Sequence, residues 1–293
     1  MDFGRVITAM ITPMNDDFSV NYDKAQELAA YLLNNGSDAL VVTGTTGESP
    51  TLRQEEKLKM YAAVGEVCRG AKKPMIAGTG SYDTSNTVEL SKKAEAMGAD
   101  AILAVTPQYN KPPQEGLYRH FKAISEAVDI PVMPYNVPAR TSVNLEPATV
   151  ARIAQLDNLV GIKEASGDLD QLTQMVRLTP PDFYIYSGDD YLALPALSLG
   201  ATGVISVVSH IIGREMQELV TAFEKGDNAT AAELHLNNYP VYKTLFIRTS
   251  PMPVKYALNR LGFPAGPCRM PLVELDEAAR SQIDQLLHDL GRI

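Results

Sequence analysis

The sequence predicts an α/β fold, a (β/α)8 TIM barrel with a C-terminal helical extension. Two observations carry this. Eight short apolar runs recur along the chain, and a segment of helical periodicity separates each from the next. A third observation narrows the choice: no G-x-G-x-x-G follows the first apolar run, which counts against a doubly wound open sheet, the runner-up architecture.

Strands are expected at residues 6–11, 39–42, 75–77, 101–105, 132–135, 159–162, 183–186 and 204–207. After the first comes "YDKAQELAAYLLNNG", an amphipathic stretch that ends on Gly36, as helix C-termini often do. "TLRQEEKLKMYAAVGEV" follows the second strand and opens with Thr51 and Gln54 at capping-box spacing. "SNTVELSKKAEAMG" follows the third and again closes on glycine. Alternation of this kind implies parallel strands covered by helices, and eight such units over about 210 residues match the size of a (β/α)8 barrel. Residues 191–213 contain no Asp, Glu, Lys or Arg, a length that suits a membrane span, but Pro195, Gly200 and Gly203 break it up. A helix, a turn and a buried strand are expected there. Beyond about residue 211, "REMQELVTAFEKG" and "DEAARSQIDQLLHDLG" read as a closing barrel helix and a helical extension. The domain boundary is placed between a barrel of residues 1–225 and a helical unit of residues 226–293.

With 293 residues, 45% of them hydrophobic, the chain can bury a large core, and no Pro, Gly or Ser tract marks a disordered linker. A net charge of −9 argues against a nucleic-acid partner and requires local cations wherever an anionic ligand binds. Cys68 and Cys268 lie far apart in no metal or redox spacing, as suits a reduced cytoplasm. The N-terminus "MDFGRVITAM" lacks a signal-like pattern, so a cytoplasmic protein with no membrane partner is expected.

In this fold chemistry gathers at the carboxyl ends of the strands. In "NLVGIKEASGD", residues 158–168, an apolar strand runs into Lys163. A lone lysine at a strand end is ordinarily just solvated, so its company decides the matter. "GTTGES", Gly44–Ser49, follows the second strand. Glycines there let backbone amides approach an anion, although an ordinary turn reads the same way. Tyr109 in "TPQYNKP" and Tyr135 at the start of "YNVPART" supply phenols, and Thr45 can link two phenols as donor and acceptor. Each tyrosine alone is also compatible with packing. Arg140, behind Pro138, suits bidentate capture of a carboxylate or, equally, a surface ion pair. His120, His210, His235 and His288 have no metal-site spacing, and G-x-S-x-G is absent, so neither a metal centre nor a serine triad is expected. A semi-buried amine, phenols and an anion cradle together suit imine formation with an oxo acid.

"GTTGES", "YNVPART", "GIKEASGD", "YSGDD" and "GVISV", in this order, resemble the 4-hydroxy-tetrahydrodipicolinate (dihydrodipicolinate) synthase family of the pyruvate-dependent class I aldolase superfamily. The likeness runs from "VITAMITPM" to "PVKYALNRLG". It implies a lyase that joins pyruvate to L-aspartate 4-semialdehyde in diaminopimelate and lysine biosynthesis, with no cofactor beyond the imine itself. Lys163 is then the Schiff-base residue, and the amides of Thr45 and Thr46 hold the pyruvate carboxylate. Tyr135 moves protons through Thr45 to Tyr109, which in this family reaches in from a neighbouring subunit of a homo-oligomer, commonly a tetramer. Arg140 grips the second substrate, and Gly188 and Ile205 give backbone contacts.

Several positions depart from the family's pattern. Gln108 replaces a second tyrosine, and Pro134 stands where an aliphatic residue is usual, putting local strand geometry in question. Ser250 replaces a common asparagine. Gln54, Lys57 and Asn86 occupy positions where some members carry the histidines and glutamate of a lysine feedback site, so weak or absent inhibition by lysine is expected. Two other readings share part of this pattern: a related lyase acting on a sugar acid such as N-acetylneuraminate, and a non-enzymatic barrel that binds carboxylates.

Overall fold

In the computed structural model, which describes residues 2–293, the apolar runs form eight parallel strands among the described residues. These are β1 Val6–Ala9, β2 Ala39–Val42, β3 Met75–Gly78, β4 Ala101–Val105, β5 Val132–Asn136, β6 Gly161–Glu164, β7 Tyr184–Ser187 and β8 Gly203–Ser206. They pair in sequence order, and β8 returns to β1 through Ile7 opposite Ile205, which closes the barrel. Strands buried on both faces explain why the runs are continuously apolar rather than alternating. The charge-free segment forms the helix Ala193–Ser198, a turn and β8, as expected from the glycines and proline within it. No helix among the described residues is long and apolar enough to cross a membrane.

Helices follow the strands, and local chemistry fixes their ends. Tyr22–Asn34 starts where the Asn21 side chain accepts from the Lys24 amide and stops before Gly36, whose φ of 99° only glycine adopts freely. Thr84–Ala96 starts on the Asp83 side chain and stops before Gly98. The capping box is shifted from its expected place. Helix Gln54–Ala71 begins after Thr51, which belongs to a 3-10 turn, and it is Glu56 that reaches back to accept from the Arg53 amide at 2.7 Å. Leu52 and Arg53, both extended, separate Thr51 from the helix.

Six strands differ at their edges from expectation: β3 and β5 run one residue longer, β7 lies one residue later, and β1, β6 and β8 differ as follows. β1 ends at Ala9, after which the Met10 amide still donates to Val41. β8 starts and stops one residue early, at Gly203 and Ser206. β6 begins at Gly161 rather than at 159, so Lys163 lies inside the strand and does not end it. Pro134 explains this last shift. β5 is continuous with β4 through Ala104 opposite Pro134, but it meets β6 in register only at Tyr135 and Asn136. Proline offers no N–H to the ladder, so Leu159 is left with an isolated bridge to Val132.

The extension comprises helices Asn228–Thr244, Met252–Arg260 and Glu277–Asp289. Val241, Leu245, Val254, Leu258, Ile283 and Leu287 belong to the same apolar core as the barrel helices. Each such buried aliphatic side chain contributes roughly 1.5–3 kcal/mol. The chain turns between the two parts at Gly226, where φ is 79°.

Candidate active site

Strand alternation orients the central amine. Glu164 points out of β6 toward the covering helix Leu169–Leu178, where Gln171 donates to it at 3.1 Å. Its neighbour Lys163 must therefore point into the barrel. Lys163 is only 5% exposed, and its Nζ lies 4.4 Å from the centroid of the Tyr135 ring on the adjacent strand. Burial lowers its pKa to about 8, against the pull of the Asp190 and Asp189 carboxylates; Arg140 adds slightly to the lowering. Burial likewise holds the Tyr135 phenol above its ordinary range, with Arg140 opposing. Its hydroxyl has no hydrogen-bond partner among the described residues. Tyr186, in register with Lys163 on β7, is not comparable, because its hydroxyl is committed to the Gly4 carbonyl at 2.9 Å.

The β2 loop supplies free donors. The amides of Thr45 and Thr46 have no acceptor among the described residues, whereas those of Glu48 and Ser49 are bonded within the loop. Arg140 sits in the short helix Pro138–Thr141 after β5, exposed and without an ion pair among the described residues, so the surface-pair reading does not apply to this chain. Thr45, Tyr135, Arg140, Lys57 and Gln108 share one cavity of about 430 Å³ at the carboxyl end of the strands. Lys163 lies behind the lining, and Tyr135 connects it to the cavity. A second recess of about 620 Å³, lined by Met14, Lys255 and Arg280 among others, holds none of the expected site residues. The mouth is the better candidate because Thr45, Tyr135 and the unpaired Arg140 line it and the buried Lys163 packs against Tyr135, whereas Thr46 lies outside the lining.

Other expected residues occupy varied positions. Gly188 follows β7, and a Cβ on it would lie 3.0 Å from Lys163 Cε and 2.6 Å from Ala165 Cβ. It makes room for the lysine. Ile205 lies in β8, fully buried. Tyr109 is 92% exposed at a φ of 73° and has no hydrogen bond to Thr45 or Tyr135 within the chain. No relay between these residues is formed within the described chain. The Asp189–Asp190 pair was legible in "SGDD" but suggested no role. Burial raises both carboxyls, Asp190 to about 6, and Asp190 Oδ2 accepts the amides of Val207 and Val208 at 3.1 and 3.3 Å. No group of His, Cys, Asp and Glu among the described residues is placed to hold a metal ion.

A closed barrel in which a buried lysine with a lowered pKa packs against a tyrosine lining the cavity at the carboxyl ends of the strands defines a (β/α)8 protein of the enzyme type. The chain belongs to the dihydrodipicolinate synthetase family, whose model matches residues 2–290. It is 52% identical over 291 residues to the 4-hydroxy-tetrahydrodipicolinate synthase of Heliobacterium modesticaldum, covering 99% of this chain and 97% of that one. The crystal structure of dihydrodipicolinate synthase from Bacillus anthracis matches with a TM-score of 0.96 and 46% identity over 98% of each chain. That of the Cyanidioschyzon merolae enzyme with lysine bound matches with a TM-score of 0.98 and 44% identity over 99% of each.

Proposed function

We propose that the protein condenses pyruvate with L-aspartate 4-semialdehyde through a Schiff base on Lys163, giving 4-hydroxy-tetrahydrodipicolinate for diaminopimelate and lysine biosynthesis. The activity is that named for its relatives. The carrying observation is the Lys163 amine, buried and depressed to about 8, packed against Tyr135, which lines the same cavity as Thr45. Neutral Lys163 attacks the ketone carbon of pyruvate while its carboxylate rests on the Thr45 and Thr46 amides. Tyr135 passes a proton to the departing oxygen, which leaves as water, and the protonated imine is the electron sink that takes the place of a cofactor. Loss of a methyl proton gives the enamine, whose carbon attacks the aldehyde. The amino group of the adduct then displaces Lys163, closing the ring and returning the free amine. Arg140 holds the carboxylate of the semialdehyde, and Ile205 and Gly188 frame the mouth.

Tyr109 serves a neighbouring subunit in this reading, because its exposure leaves it no role in its own. The assembly is then a homo-oligomer, a tetramer of paired dimers working in the cytoplasm, and sedimentation would report a monomer if this is mistaken. Lysine is a weak inhibitor at most, because Gln54, Lys57 and Asn86 stand at the positions where some family members carry the histidines and glutamate of a lysine site. Half-inhibition by micromolar lysine would contradict that. The names of the relatives disfavour a sugar-acid lyase and a non-enzymatic barrel. The decisive experiment is borohydride reduction with pyruvate followed by peptide mass spectrometry. A reduced pyruvate adduct on Lys163, together with turnover of the semialdehyde, is expected; protein without the label would refute the mechanism.

A further inference from the structure

The Gly44–Ser49 loop has a conformation that its own residues do not favour. Thr43 enters it at a φ of 54° and Glu48 leaves it at 57°. Side chains with a Cβ occupy that left-handed region only where neighbours over-determine it. At the entry, the Thr43 hydroxyl donates to Tyr61 at 2.9 Å and Tyr61 donates to the Gly78 carbonyl at 2.8 Å. At the exit, the restraint comes from the C-terminal extension. Glu48 Oε1 accepts from Nζ of Lys255, 207 residues away, at 2.6 Å, and Oε2 accepts from the Arg269 amide at 2.8 Å. Lys255 Nζ also donates to the Pro267 carbonyl at 2.6 Å. The paired side chains are 2% and 1% exposed.

The backbone of the same residues sets the cradle. The Glu48 amide donates to the Thr45 carbonyl at 3.1 Å, and the Ser49 amide donates to the Gly44 carbonyl at 3.3 Å. A peptide unit is planar, so fixing the Thr45 carbonyl fixes the Thr46 N–H, and fixing the Gly44 carbonyl fixes the Thr45 N–H. The Thr46 amide is thus aimed by Glu48, which the extension anchors, and the Thr45 amide by Ser49, the next residue along the chain.

We propose that Glu48, clamped by Lys255 and the Arg269 amide, is the positioning residue of the carboxylate cradle, which makes the C-terminal extension part of the pyruvate site. This rests on the pyruvate reading above. Removing the clamp relaxes Glu48 out of the left-handed region and turns the two amides away from a common anion. Neither side chain touches substrate, so the effect falls on pyruvate capture and not on the later carbon–carbon bond.

The test compares wild type, Lys255→Met, Lys255→Arg and the Glu48→Met/Lys255→Met double variant. The double variant replaces a buried ion pair by apolar side chains of similar length, a change that folds tolerate well. Borohydride trapping is measured against pyruvate concentration, alongside KM for the semialdehyde and melting temperature. The double variant is expected to stay folded while its half-saturating pyruvate rises about tenfold or more, with KM for the semialdehyde changed less than about twofold. Lys255→Arg is expected to fall between it and wild type. A folded double variant with wild-type half-saturation overturns the positioning role while leaving the Schiff-base chemistry intact. Wild-type protein that takes no adduct overturns both.

Discussion

Lys163 places two demands on the fold at once. Its pKa of about 8 means that the reactive neutral amine grows about tenfold per pH unit below 8 and levels off above. Adduct formation at low pyruvate should follow that curve between pH 6 and 9; a flat profile would show that the free amine is not what reacts. The same shift is a stability statement. The folded value lies below the unfolded 10.5, so between pH 8 and 10.5 the unfolded chain binds the extra proton and stability rises with pH. Below pH 8 the whole penalty, about 3 kcal/mol, is present. Lys163→Met should therefore be inactive yet more stable than wild type at pH 7 by up to that amount, with the gap narrowing toward pH 9.5 in urea denaturation. The amine was legible in the sequence as an oddity at the end of an apolar run. It read as semi-buried; that its enclosure is nearly complete was not legible, because only closure of the barrel surrounds a side chain that a single strand would leave in water.

At the scale of elements, the loop after β5 carries Arg140 on a polar scaffold. Asn136 donates to Glu164 and to Asn144, each at 2.9 Å, and accepts from the Leu145 amide at 2.9 Å. Asn144 donates to Gln171 at 2.7 Å. The loop is therefore held at its base while its guanidinium stays free. Arg140→Ala should keep the pyruvate adduct and lose most condensation activity. Asn144→Ala should cost about 1–3 kcal/mol in denaturation and raise KM for the semialdehyde with little change for pyruvate. Equal effects on both substrates would show that the loop does not divide their binding in this way. Strand and helix existence were readable here from periodicity, but the edges were not. Pro134 delayed β6 by removing a ladder donor, and the extended Leu52 and Arg53 put the helix start past Thr51. Both effects depend on backbone partners that no local pattern names.

The molecule as a whole ties its last quarter to its mouth. Arg269 donates to both carboxylate oxygens of Glu56, at 2.8 and 2.6 Å, and helices Asn228–Thr244 and Glu277–Asp289 pack into the common core. A chain cut after residue 225 should therefore fail to fold cooperatively and take no pyruvate adduct. Circular dichroism melting of the fragment would test this, and a sharp transition with labelling of Lys163 would show that the barrel stands alone.

The sequence by itself determined the order of strands and helices, the barrel class, and the loops "GTTGES" and "YNVPART", because hydrophobic periodicity and turn chemistry act between near neighbours. The tertiary structure decided how far the lysine is desolvated, which carboxylates face it, and that Glu48 meets Lys255. Those depend on which distant segments share a dry interior, where a charge responds to whatever is packed against it, however far along the chain that neighbour lies.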